Sequence, residues 1–251
     1  MAKEELRGPS AGSGDVVVGR HPVVEALKSG APIKKIFLAK GMQPAAIIDE
    51  VGRLAEAASI PIILEDRHRL SEIAGRDEHQ GVVAIVEPFE YADFEGLAAV
   101  KSARFVLLDG ITDPQNLGSI LRSVEAFGWT GVVVPRRRSV GVNSTVRKVA
   151  AGAAERVPVA QVNSPADAIR RLTQSGVFVA GLDPDGDRDY RNLDVGSDRL
   201  CLVLGAEGKG LSRLVRERCD VTVSIPMSGS QASINVAVAG AIFMSRFAIG
   251  H

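Results

Sequence analysis

The chain is short of several things at once, and each shortage removes a class of protein. It has two cysteines, Cys201 and Cys219, and they form no CxxC pair. That excludes a disulfide scaffold and a zinc ribbon. It suits buried thiols in a reducing compartment, so a cytoplasmic protein is expected. The four histidines, His21, His68, His79 and His251, fall at no metal-ligand spacing, and no resident metal is expected. Nor can a serine–histidine–acid set be assembled from spacing. No apolar run approaches the roughly 20 residues that cross a bilayer, so no membrane span is expected. Formal net charge is zero, which argues against attachment to nucleic acid by bulk charge alone. The glycine-rich turns match neither the Walker spacing nor GxGxxG, which speaks against a nucleotide-binding oxidoreductase.

What remains is a globular composition, 45% apolar and 24% charged, long enough for one large domain or two modest ones. Residues 1–15 are polar and Gly/Ser-rich and read as a disordered tail. From 16 to 87, strand-like runs ("IKKIFLA", "PIILE", "GVVAIVE") alternate with helical spacing at Ile47, Val51, Leu54 and Ala58. This is a small α/β unit. Residues 88–103 read as a linker or short helix. From 104 to 251, Val/Leu runs alternate with helices, which predicts a mostly parallel sheet covered on both faces. Between Arg104 and Ala160 there are eight basic residues against four acidic ones, including the run Arg136, Arg137 and Arg138.

Three predicted strand ends carry unusual turns. After "RFVLLDG", Asp113 and Pro114 suit a helix start and Gly128 its exit. Leu117, Ile120, Leu121, Val124 and Phe127 form one stripe, with Arg122 nearly opposite and Asn116 in the first turn. A surface arginine with a helix-entry amide is one reading, and two members of a site is the other. "LVLGAEGKGLS" follows a second strand, and its glycines allow close backbone approach to a ligand. "SIPMSGSQASINVAVAGAIF" follows a third, with Ser233 and Asn235 at the mouth of an apolar helix. Carboxyl-end turns of a parallel sheet can converge on one cleft. "DPDGDRD", residues 183–189, lacks calcium-loop spacing and reads as an acidic surface turn.

In this order, "DPQNLGSILRSVEAFG", "LVLGAEGKGLS" and "IPMSGSQASINVAVAGA" resemble the three motifs of the SPOUT-class TrmH family of RNA ribose 2′-O-methyltransferases. "VVGRHPVVEAL" and "HQGVVAIVEP" resemble the ribosomal-protein L30e-like domain that precedes the catalytic domain in its RlmB branch, which methylates a 23S ribosomal RNA guanosine. The resemblance implies a SPOUT sheet over 104–251 with a deep trefoil knot, a homodimer through that domain, and S-adenosylmethionine as cofactor. It implies a catalytic set of Asn116, Arg122, Glu207, Ser233 and Asn235, and cofactor contacts from Leu204, Gly205, Ile225, Met227 and Ile234. Arg122 is the family's proposed base or base-assisting residue, although a guanidinium stays charged and suits a phosphate better. Arg20, His79, Arg136, Arg137 and Arg138 are the expected RNA contacts, with residues 16–87 choosing the RNA. Transfer RNA, antibiotic-resistance methylation and a non-catalytic RNA-binding ribosome-assembly role are the alternatives.

Overall fold

The computed structural model describes residues 15–228 and 234–249. The tail, apart from Asp15, and Ser233 lie outside them. The chain divides into two compact units, 1–89 and 90–251.

The first unit runs β1 (Asp15–Val18), α1 (Arg20–Lys28), β2 (Ile33–Ala39), α2 (Ala46–Ala57), β3 (Ile62–Glu65), α3 (Arg67–Ala74) and β4 (Val82–Val86). The sheet order is β1-β4-β2-β3. β4 lies antiparallel to both neighbours and β2 pairs parallel with β3. The strands alternate apolar residues between two faces. Ile36, Leu38, Val82 and Ala84 meet Val23 and Val24 of α1 and Val51 and Ala55 of α2. On the other face, Phe37, Ala39 and Val83 meet Leu70 of α3.

The second unit begins earlier than the sequence suggests. The stretch read as a linker or short helix holds α4 (Phe94–Ala98), capped by Asp93, whose Oδ2 accepts from the Gly96 N–H at 2.8 Å. Phe94, Leu97 and Ala98 are buried with Phe105 in this unit's core. Apolar anchors of that size have to be covered, so residues from Glu90 onward belong to the second unit.

The remaining elements are β5 (Arg104–Asp109), α5 (Pro114–Ala126), β6 (Gly131–Pro135), α6 (Ser144–Ala150), α7 (Ala153–Arg156), β7 (Val159–Val162) and α8 (Pro165–Gln174). They continue with β8 (Phe178–Leu182), β9 (Arg188–Asp189), β10 (Leu200–Gly205), α9 (Arg213–Arg218), β11 (Val221–Ser224) and α10 (Val236–Arg246). The sheet order is β7-β6-β5-β10-β8-β11-β9, and every pairing is parallel. Two later strands thus enter between earlier ones: β10 between β5 and β8, and β11 between β8 and β9.

Strand alternation sends Phe105, Leu107 and Val203 to the face covered by α4, α8 and α9. On the opposite side α10 packs against α5 and β10, and α5 against α6 and α7. α6 and α7 are separate helices because Ala151 and Gly152 between them both take positive φ. The short strand β9 lies where only a turn was expected and pairs with β11.

Candidate active site

The site assembles where several parallel strands end. The Asp113 carboxylate caps α5, accepting from the Gln115 N–H at 2.9 Å, and Pro114 takes the first helical position. Leu117, Ile120, Leu121 and Val124 are fully buried. That stripe fixes the helix rotation and turns Asn116 inward, where it is only 4% exposed.

β10 delivers the second component. Gly205 has no room for a Cβ, which would stand 2.2 Å from the carbonyl carbon of Gly210, because residues 206–210 fold straight back over the strand end. The fold-back is held by the Gly210 N–H on Ala206 O at 2.9 Å and by Asp109 Oδ2, which accepts from the Ser212 N–H at 2.7 Å. Glu207 stands at the tip of this turn.

The third component is the entrance of α10. Asn235 caps the helix, its Oδ1 accepting from the N–H groups of Ala237 (2.9 Å) and Val238 (3.2 Å). Its Nδ2 donates to Asn116 Oδ1 at 2.8 Å and to Glu207 Oε1 at 2.9 Å. One amide therefore ties three chain segments together, and its two donors are both used. Asn116 keeps an amide nitrogen and Glu207 a second carboxylate oxygen, neither engaged by the described residues.

Beside this network lies a cleft of about 530 Å³, within the range of small-molecule sites. All five residues expected to hold the cofactor, Leu204, Gly205, Ile225, Met227 and Ile234, line it. They come from separate segments, so only the tertiary fold makes them neighbours.

Two expectations fare differently. Arg122 does not line the cleft. It lies six residues beyond Asn116, about 9 Å further along the helix, exposed and without a hydrogen bond or ion pair to any described residue. His79, expected to touch RNA, is only 2% exposed. Its Nδ1 accepts from the Gly81 N–H at 3.0 Å and so orders a turn in which Gln80 and Gly81 have positive φ. A side chain enclosed in its own turn has no surface to offer. Arg20 remains partly exposed and donates from Nε to Gln80 O at 3.1 Å. Arg136, Arg137 and Arg138 are exposed on the loop after β6. That loop is tied to the turn after β5, because Ser139 Oγ and the Val140 N–H both donate to Ile111 O at 2.9 Å.

The sequence reading missed Asp183. It is not part of a solvated turn: it is 5% exposed, on the cleft wall, accepting from the Asp185 N–H at 2.9 Å and from Arg216 at 3.3 Å. Its signal was present, since it directly follows the apolar run of β8, as the other site turns follow theirs. Burial pushes the Cys201 thiol up and carries Cys219 to about 12, so neither is a nucleophile. Among the described residues no His/Cys/Asp/Glu group could hold a metal, and no helix is long and apolar enough to cross a membrane.

Several known proteins are similar to this chain. A tRNA/rRNA methyltransferase of Mycolicibacterium vanbaalenii, itself described as uncharacterized, is 42% identical over 239 residues, covering 93% of this chain and 76% of its own. A protein of Staphylococcus aureus described as a TrmH family tRNA/rRNA methyltransferase is 41% identical, covering 91% and 93%. The SpoU methyltransferase AviRb of Streptomyces viridochromogenes, solved with AdoMet, superposes with a TM-score of 0.61 at 28% identity, covering 92% of this chain and 88% of that one. An AdoMet-bound rRNA methyltransferase of Sinorhizobium meliloti gives 0.60 at 25%, covering 91% and 84%. Residues 16–92 match the RNA 2′-O ribose methyltransferase substrate-binding family. Residues 103–245, which contain every strand end of this site, match the SpoU rRNA methylase family, and to that family of RNA methyltransferases the chain belongs.

Proposed function

We propose that this protein transfers a methyl group from S-adenosylmethionine to a ribose 2′-hydroxyl of RNA, with a guanosine of 23S ribosomal RNA as target. One observation carries the reading: the turns after β10 and β11 and the entrance of α10 line one cleft beside the Asn116–Asn235–Glu207 network. The cleft suits the cofactor in size and lining. Leu204, Ile225, Met227 and Ile234 offer apolar surface, and the bare backbone at Gly205 permits close approach. When bound, S-adenosylmethionine supplies an electrophilic methyl group.

The chain's own part is positioning and charge. Asn235 has no free donor, so it acts as a positioning residue, holding Asn116 and Glu207 at fixed spacing. Asn116 offers its remaining amide N–H to the oxygen on which negative charge develops. Glu207 offers its remaining carboxylate oxygen to the hydroxyl. Arg122, a cation with no engagement among the described residues, binds an RNA phosphate that accepts the proton or orients the hydroxyl.

The insertion of β10 and β11 between earlier strands supports a trefoil knot as the frame of the cleft. The mixed sheet of the first unit, with helices on both faces, supports an L30e-like domain that selects RNA in a cytoplasmic enzyme. α10 buries Ala237, Gly240, Phe243 and Met244 but leaves Val238 52% exposed. A helix apolar on every side and only partly covered within one chain supports a homodimer through the second unit, for which light scattering should give twice the monomer mass.

The test is calorimetry with S-adenosylmethionine, followed by mapping of ribose methylation on ribosomal and transfer RNA from a deletion strain. The expected results are binding and one unmethylated 23S guanosine. Absence of cofactor binding in a folded sample refutes the reading, and a lost methyl group on transfer RNA instead moves the substrate there.

A further inference from the structure

We propose that the second unit has a separate pocket for an unpaired nucleotide flanking the target, built from Arg136, Gln161 and Asn163. The inference rests on the reading of this protein as an RNA methyltransferase and adds a site to it. A cavity of about 500 Å³ opens at the ends of β6 and β7, bounded by the segment that leads into α4. That segment extends the sheet past β7, with Ala92 bridged in parallel to Ala160. The pocket therefore lies along the same carboxyl edge of the same parallel sheet as the cofactor cleft. From β10 to β7 is three strand spacings, about 14 Å. That reach is short enough for nucleotides next to the reacting ribose.

The lining is chemically specific. Its acids are committed: Asp93 caps α4, Glu95 pairs with Arg171, and Asp167 accepts from Arg170 at 2.7 Å. The side chains of Arg136, Gln161 and Asn163 line the same cavity and engage no described residue. One cation and two amides without partners among the described residues suit a nucleotide. A guanidinium matches a phosphate, and amides both donate and accept, as base edges do. Unpaired RNA bases are read on those edges, and the volume is ample for a nucleoside. Arg136 begins the arginine loop, which Ser139 and Val140 fasten to Ile111 in the turn that leads to Asn116. Loop, pocket and cleft thus share one edge of the sheet, along which a single strand can lie.

The experiment measures affinity and single-turnover methylation of a 23S ribosomal RNA transcript across a salt series. Gln161→Ala and Asn163→Ala should each weaken RNA binding about tenfold with the salt slope unchanged. Arg136→Ala should lower the slope by about 0.7, one single-strand phosphate contact. In all three, the affinity for S-adenosylmethionine and the melting temperature should stay at wild-type values. Unchanged RNA affinity in Gln161→Ala and Asn163→Ala overturns the pocket. So does a loss that comes with weaker cofactor binding or a lower melting temperature, since that marks a structural role. If the wild-type chain binds cofactor but no RNA, the functional reading and the pocket fall together; wild-type RNA binding with unaffected variants removes the pocket alone.

Discussion

Asn235 is the sharpest place to break the site, because its four hydrogen bonds divide into two kinds. Two cap α10 and two hold Asn116 and Glu207. Asn235→Ala removes all four. Loss of a cap costs about 1 kcal/mol. Loss of the donor to Asn116 leaves a buried carbonyl oxygen without its partner, roughly another 1–3 kcal/mol. The bond to Glu207 is exposed and adds little. The total, about 2–4 kcal/mol, is a large share of a typical stability but less than all of it. The melting temperature should fall by roughly 5–10 °C with the fold retained. Asn235→Ser keeps a capping oxygen and removes only the two donors, so it should melt above the alanine variant by the share of the cap. Both should lose about 100-fold or more in single-turnover methylation at saturating cofactor, since both leave Asn116 and Glu207 unheld. The assay is that rate beside thermal melts of wild type, alanine and serine variants. A serine variant with wild-type rate would refute the argument that the amide donors organise the site. Identical melts for all three proteins would refute the energetics.

Arg122 touches nothing among the described residues, so Arg122→Ala should melt like wild type and lose about 100-fold in single-turnover rate; a normal rate makes it a plain surface arginine. Arg137→Ala, on the exposed loop, should instead weaken RNA binding in a salt-dependent way and leave the turnover of bound RNA intact. His79→Ala should destabilise the first unit by about 1–3 kcal/mol, because the Gly81 N–H loses its buried acceptor; unchanged stability with impaired RNA binding would restore the contact role that burial argues against. Burial raises the Cys219 thiol to about 12, so at pH 8 the native protein should resist iodoacetamide, with labelling rising only as pH approaches that value or on unfolding; rapid labelling of folded protein at pH 8 contradicts the burial.

Much was settled by sequence alone, for local reasons. Strand-length Val/Leu runs, the Asp113–Pro114 helix start and the stripe of Leu117, Ile120, Leu121 and Val124 encode their elements within a few residues, because periodicity and capping act at that range. The turns after β5, β10 and β11 could be picked out for the same reason, since glycines and hydroxyls at strand ends are visible without a fold. Only tertiary structure could decide which of those turns meet. The hydrogen bonds of Asn235 to Asn116 and Glu207 span sequence separations of 119 and 28 residues, and strand order, which no periodicity reports, closes those distances. Burial was equally out of reach. His79 and Asp183 look like surface polar residues in sequence, yet one is enclosed by its own turn and the other by the cleft wall. Phe94 and Leu97 looked like part of a linker, yet they are core. For Asp183, Phe94 and Leu97 the covering segments are remote, and local pattern holds no record of them.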